Sequence, residues 1–166
     1  MHRPRPDRNK NGQRHIRDPR PHQRRPRHRQ LRRRELIEAR PHVEIPSAGW
    51  AAERRTDDEL RELESLADQM RIEDDHRAWV LLDGKFHTAI ARASKNRVFE
   101  AIIVDIRGAL TRQSETLNLV ARRQRASNAE HDRIVAEIRA GDYDAAARAM
   151  ADHLDAVRGA VESLRR

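Results

Sequence analysis

Asp83 and His87 stand four residues apart in the run LLDGKFHTAI, Leu81 to Ile90, among apolar residues at helical spacing. On a helix, residues four apart lie about 6 Å from one another on one face, so this carboxylate and this imidazole project together. Trp79, Phe86 and Ile90 lie seven and four apart, and Asp83 falls midway in that series. The pair therefore points into the interior, where an uncompensated carboxylate costs on the order of several kcal/mol. Two further histidines repeat the anomaly. His131 precedes Ile134 by three and Ile138 by seven, and His153 stands between Met150 and Val157, on the line to Ala160 and Leu164. A single inward histidine is most simply a core imidazole satisfied by a hydrogen bond. Here three of the five histidines after residue 34 lie on apolar stripes, beside one inward carboxylate. His42 and His76 fall near helix breaks, where exposure is expected.

One carboxylate and three imidazoles suit a borderline divalent cation such as Zn, Ni, Co, Mn or Fe. Asp83 and His87 would supply two ligands from one helix, and His131 and His153 one each. Four protein ligands leave one or two positions open on a five- or six-coordinate ion. An open position can take a water for catalysis or an oxygen of a small carboxylate. Both an enzyme and a ligand-binding domain are compatible with that set. The sequence shows no obvious general base beyond the ligands, which weighs against the enzyme.

Helices must position these residues. From Leu31 onward the apolar spacing is helical, and no stretch keeps a two-residue alternation, which predicts an all-α fold: a single antiparallel bundle of about six helices. The first helix, about 31–54, contains Pro41 and Pro46, which should break or kink it. Thr56-Asp57-Asp58-Glu59 is a capping box opening the second, with Leu60, Leu63, Leu66, Ala67 and Met70 on its apolar side. The third spans about 76–93 and is ended by Ser94-Lys95-Asn96. The fourth, about 97–121, carries Val98, Ile102, Ile106, Leu110 and Leu117 as its apolar set. Ser127-x-x-Glu130 reads as a second capping box starting the fifth helix, which Gly141 ends. Asp142 caps the sixth, about 143–164.

The totals set the boundaries. The chain has 166 residues, enough for one domain with a core. It has no cysteine, which excludes disulfides, thiolate zinc fingers and a cysteine nucleophile and fits a reducing cytoplasm. No apolar run approaches the ~20 residues of a membrane span, and the N-terminus lacks an apolar signal core. Charge is unevenly spread. Residues 1–34 hold fourteen Lys or Arg against Asp7 and Asp18, a net of +12, and with +8 on the whole chain the remaining 132 residues sum to −4. Residues 1–30, with five prolines and few apolar residues, are expected to be a disordered Arg/Pro-rich tail. Its arginines could bind nucleic acid by releasing counterions, although no aromatic residue is present to stack on bases. Such Arg/Pro/His-rich text is also what GC-rich DNA gives when read out of frame. The structured part is assigned to residues 31–166.

Several motifs in order resemble a known family. Asp83-x-x-Phe86-His87-x-x-Ile90, Ala93-Ser94-x-Asn96, Glu130-His131-x-x-Ile134, Ala140-Gly141-Asp142, Ala146 and Met150-x-x-His153-Leu154 are similar to the C-terminal effector domain of the FadR subfamily of GntR transcriptional regulators. Glu38-Ala39-Arg40, Glu44, Ala51-Ala52-Glu53-Arg54 and Thr56 extend the likeness upstream, so that it covers about residues 31–164. The resemblance implies an all-α domain of a cytoplasmic regulator, not an enzyme, that binds a small organic acid in a central pocket, often beside a metal. It implies Asp83, His87, His131 and His153 as ligands of a divalent metal such as Zn or Ni. It further implies Arg40 and Arg107, on the first and fourth helices, as clamps on the effector carboxylate, a role for which a guanidinium fork is suited. Asn96 is typical of the family and is read as a helix cap. The partners it implies are the carboxylate effector and a homodimer mate or a related regulator, with no membrane. One departure is large. The family carries a winged helix-turn-helix before this domain, and no such pattern is legible in residues 1–30. DNA binding would then need a winged helix-turn-helix supplied by a partner, or weak contacts through the tail.

Overall fold

A computed structural model describes residues 33–105, 109 and 123–163. Among them are six helices and no strand: α1 Arg33–Arg54, α2 Asp57–Ile72, α3 His76–Ala93, α4 over 97–105, α5 Arg123–Ala140 and α6 Tyr143–Ser163. The expected tail, 1–30, lies outside the described residues. So do Arg107 and the Ile106, Leu110 and Leu117 part of the expected fourth helix.

Local chemistry explains most of the boundaries. The Thr56 hydroxyl accepts from the Glu59 backbone N–H (3.2 Å), and the Glu59 carboxylate accepts from that of Thr56 (2.8 Å), closing the expected capping box. Asp75 caps α3 through the Ala78 N–H (2.8 Å). Lys95 turns the chain with φ 58°, and the Asn96 side chain accepts from the Val98 N–H (3.0 Å), so Asn96 caps α4. Gly141, at φ 76°, ends α5 in the left-handed conformation that glycine adopts without strain. Asp142 caps α6 through the Ala145 N–H (2.9 Å).

Three expectations are corrected. α1 runs through Pro41 and Pro46 without a break. Each proline removes one rung of the hydrogen-bond ladder. The buried face formed by Leu36, Arg40, Glu44, Ser47, Ala48, Ala51 and Ala52 packs against α3, α5 and α6, and that burial holds the helix on its course. α5 begins at least four residues before the expected box at Ser127, which is a buried residue inside the helix. Glu130 makes side-chain partners elsewhere rather than capping. On α4, Val98 and Ile102 face outward and Ile103 faces inward, so the apolar set read for that helix is rotated.

The core is continuous. Leu63, Leu66 and Met70 of α2, Trp79, Phe86 and Ile90 of α3, Ile134 and Ile138 of α5, and Met150 and Leu154 of α6 form one cluster. α1 contacts α3, α5 and α6, and α2 contacts α3 and α5. No helix among the described residues is long and apolar enough to cross a membrane.

Candidate metal centre

Asp83 and His87 come from α3, His131 from α5 and His153 from α6, and all four are buried. Each histidine offers a ring nitrogen, and these three atoms lie within 4.8 Å of one another. Asp83 Oδ1 is 3.4 Å from His131 Nε2 and 3.7 Å from His87 Nε2. The four residues proposed as ligands from the sequence therefore share one buried site. The ring centroids of His131 and His153 are 4.8 Å apart, and those of His87 and His153 are 5.3 Å apart. One wall is aromatic: Phe86 lies 4.7 Å from the His131 ring, and Trp79 stacks beside it at 6.1 Å. Asn128 fixes Trp79, accepting from its indole N–H (2.9 Å) and donating to the Met70 carbonyl (3.1 Å).

Two carboxylates brace the rings from behind. Glu44 Oε2 lies 2.6 Å from His87 Nδ1. The His153 Nδ1–H donates to Glu130 Oε2 (2.7 Å). Behind each stands a guanidinium. Arg40 Nε donates to Glu44 Oε1 (2.6 Å), and the Arg123 Nη atoms donate to both oxygens of Glu130 (3.0 and 2.6 Å). Local spacing marks Glu130 as a cap and gives Glu44 and Arg123 no role at the site. The signals were present. Glu44 follows Arg40 by one turn on the buried face of α1, and Glu130 follows Arg123 by two turns on α5.

Neither ring nitrogen of His87 or His131 has an aligned hydrogen bond among the described residues. The close His87–Glu44 contact is an ion-pair contact lying off the hydrogen-bond line. Glu44 engages His87 Nδ1, but both buried nitrogens of His131 lack a hydrogen bond among the described residues, which is costly unless another group engages them. One nitrogen each from His87, His131 and His153, beside an ionised Asp83, forms a donor set of the kind a borderline divalent cation accepts. The residues therefore fit such an ion.

Electrostatics prepares most of that set in its ligating form. Burial pushes the Asp83 carboxyl up, but His87 first, then His131 and His153, hold it well below the usual carboxylate range. Burial likewise opposes ionisation of Glu44, and Arg40 and His87 overcome it. His131 is pushed far down, by burial first and by His153 next, and His153 is lowered by burial against the pull of Glu130. Both imidazoles are thus neutral at neutral pH. His87 is the exception. Burial lowers it, yet Glu44 and Asp83 raise it to about 9. Arg40 is buried against Glu44, and its charge is stabilised further by Asp83 despite its burial.

Comparison with known proteins gives the arrangement a setting. The chain matches the FCD domain family over residues 35–156. It is 30% identical over 126 residues to the HTH-type transcriptional regulator LutR of Bacillus subtilis (strain 168), an alignment that takes in 72% of this chain and 58% of LutR. Among solved structures, Streptococcus agalactiae GntR superposes with a TM-score of 0.62 at 30% identity, covering 75% of this chain and 56% of that one. The chain thus spans somewhat over half the length of these relatives. LutR is named as a transcriptional regulator and not as an enzyme.

Proposed function

Because the chain belongs to the FCD domain family of GntR-type regulators, whose FCD domain is a ligand-sensing effector domain, we propose that it senses a small organic acid held beside a divalent metal. Asp83, His87, His131 and His153 would hold the ion, of zinc or nickel type. When bound, the ion supplies a Lewis-acidic site for an anionic oxygen. The observation that carries this reading is the cluster of three buried histidines whose ring nitrogens lie within 4.8 Å of one another, with Asp83 Oδ1 3.4 Å from His131 Nε2.

The charge balance supports an anionic effector. In the metal-free site Arg40, Arg123 and protonated His87 balance Glu44, Glu130 and Asp83. Exchanging the His87 proton for a divalent ion leaves one positive charge in excess inside the bundle. A carboxylate neutralises it, and buried positive charge without a counterion is unfavourable. Arg40 stands at the same site. Glu44 engages its Nε and one Nη atom, which does not exhaust the five N–H donors of a guanidinium. Arg40 and Arg107 are the residues we assign to the effector carboxylate. Asp83, on the same face as His87, binds the ion directly, while Glu44 and Glu130 orient two of the imidazoles.

In the full-length arrangement of the relatives, effector binding would be read out as a change in DNA binding. The setting we propose is the cytoplasm. Isothermal titration of the metal-loaded chain against sugar acids, hydroxy acids and dicarboxylates tests the reading. Saturable binding that vanishes on metal removal is the expected result. Absence of binding by every member of the panel, with metal content verified, overturns it.

A further inference from the structure

His87 and His153 each have a carboxylate behind the ring, and His131 has none among the described residues. Its ring is held by other rings instead. Phe86 lies 4.7 Å from it at 38°, and Trp79 lies 6.1 Å away and nearly parallel, at 15°. Both His131 and Trp79 are buried, so neither ring turns without displacing close-packed neighbours. The setting of His131 therefore depends on what fixes Trp79.

A side-chain amide fixes it. α2 ends on an extended Glu73, not on the left-handed glycine that commonly satisfies the last carbonyls of a helix. Two amides of α5, one turn apart, take over that task. Gln124 Nε2 donates to the Glu73 carbonyl (2.7 Å), and Asn128 Nδ2 donates to the Met70 carbonyl (3.1 Å). A carbonyl only accepts and an indole N–H only donates. With its nitrogen on Met70, Asn128 turns its oxygen the other way, where it accepts from Trp79 Nε1 (2.9 Å). Gln124 caps α2 in the same manner without bonding to Trp79.

The same bond ties two helices that do not pack on each other. Among the described residues α3 and α5 each pack on α1 and α2, so the link between them runs through side chains. Trp79 precedes Asp83 by four residues on α3, and Asn128 precedes His131 by three on α5. The Trp79–Asn128 bond therefore lies one helical turn, about 5 Å, from the point where Asp83 Oδ1 stands 3.4 Å from His131 Nε2. Sliding α5 along α3 breaks the first contact and opens the second.

We infer that Asn128 is a positioning residue of the metal centre: through Trp79 it holds His131, the candidate ligand that no carboxylate braces, within reach of Asp83. This role rests on the metal reading given above.

Cobalt(II), added to the metal-free chain, is the probe. Competition with a chelating dye gives its affinity, and its visible absorption reports the geometry of its ligands. Asn128→Ala should bind Co(II) about 10-fold more weakly, the lower end of what loss of an outer partner costs, and with an altered visible spectrum. Trp79→Phe keeps a ring beside His131 and removes the indole N–H. It should move both readouts in the same direction, and it serves in place of Asn128→Ala should that variant lose helix content. The two substitutions remove one bond, so the double variant should bind within about threefold of the weaker single one. Gln124→Ala separates positioning from stability. It removes the neighbouring cap of α2 and should lower the urea midpoint as Asn128→Ala does, yet leave Co(II) affinity within about threefold of the parent and the spectrum unchanged. Parent affinity and spectrum in Asn128→Ala, losses that add in the double variant, or a Gln124→Ala chain weakened as much as Asn128→Ala overturns the positioning role alone. A parent that takes up no Co(II) overturns the metal reading, and the role of Asn128 with it.

Discussion

Glu44 Oε2 stands 2.6 Å from His87 Nδ1, while Arg40 holds the other oxygen of the same carboxylate at 2.6 Å. The sequence of groups, guanidinium to carboxylate to imidazole, is repeated by Arg123, Glu130 and His153 on the far side of the site. Two of the three clustered histidines are thus braced from behind, one from α1 and one from within α5. His131 has no such brace among the described residues.

The brace on His153 should govern metal affinity. Glu130→Ala removes the acceptor that orients the ring and keeps its proton on Nδ1, and a loss of about 10–100-fold in metal affinity is expected. Glu130→Gln, which keeps an acceptor oxygen, should lose less. Competition of each variant with a chelating dye measures both. Equal affinity for parent and Glu130→Ala would remove the brace from the account of the site.

Metal uptake should release a proton. At pH 7 His87, raised to about 9, carries its proton, whereas His131 and His153, both lowered, do not. Binding a cation therefore expels about one proton, and affinity should rise about tenfold per pH unit between 7 and 9. Calorimetry in two buffers of different ionisation heat counts the proton directly. A count near zero would mean that His87 is neutral or is no ligand.

The same residue sets the alkaline stability of the metal-free protein. The pKa of His87 is raised on folding from 6.5 to about 9. Its contribution is complete below pH 6.5 and is lost as pH rises through 9. Glu44 acts in the opposite direction: its carboxyl is lowered from 4.5, so its contribution is present above that pH and is lost on acidification below it. Melting temperature in chelator should therefore fall from pH 6.5 to 9, and again below about pH 4.5. A melting temperature that is level or rises between pH 6.5 and 9 would contradict the assignment for His87.

Removing one member of the α1 pair should be severe. Arg40→Met takes from Glu44, 3% exposed, the guanidinium that does most to hold it ionised, leaving only His87, and should cost about 3–5 kcal/mol in urea denaturation of the metal-free protein. Arg40→Met combined with Glu44→Leu should recover part of that loss, because no buried carboxylate then lacks its guanidinium and Asp83 remains beside His87. If the double variant is less stable than Arg40→Met alone, the pair contributes more than mutual neutralisation.

Gly49 is fixed by close approach. A Cβ at this position would stand 2.6 Å from Cε2 of Tyr143, the first residue of α6. Gly49→Ala should destabilise by about 1–3 kcal/mol through this clash. In the Tyr143→Ala background the same substitution should be close to neutral, which chemical denaturation of the two single variants and the double variant resolves.

The clustering of the four candidate ligands was legible because helical periodicity is local. Asp83 and His87 are one turn apart, and His131 and His153 fall on stripes that their own helices define. The caps at Thr56, Asn96, Gly141 and Asp142 were legible for the same reason. What the sequence hid depends on contacts between helices. Ser127-x-x-Glu130 has the form of a capping box, but Glu130 faces Arg123 and His153, and only tertiary structure decides between those partners. Val98 and Ile102 share a stripe, yet local spacing cannot tell a stripe that faces the core from one that faces out. Stacking of Phe99 on Trp50 decides it. The prolines of α1 predict a break on local grounds, and burial of that helix against three others prevents it.

Continuity of α1 through its prolines has a consequence for amide exchange. Proline has no N–H, so the carbonyls of Ile37 and His42 lack the donor that an unbroken ladder would offer four residues on. Between those two gaps lies the turn that carries Glu44. Its amides are held by fewer cooperative bonds than those of α3 and α5, and opening there exposes less of the ladder to disruption. Protection along α1 should therefore dip around residues 42–45 and recover toward Ala51. The dip falls at the turn from which one of the two braces of the histidine cluster is built.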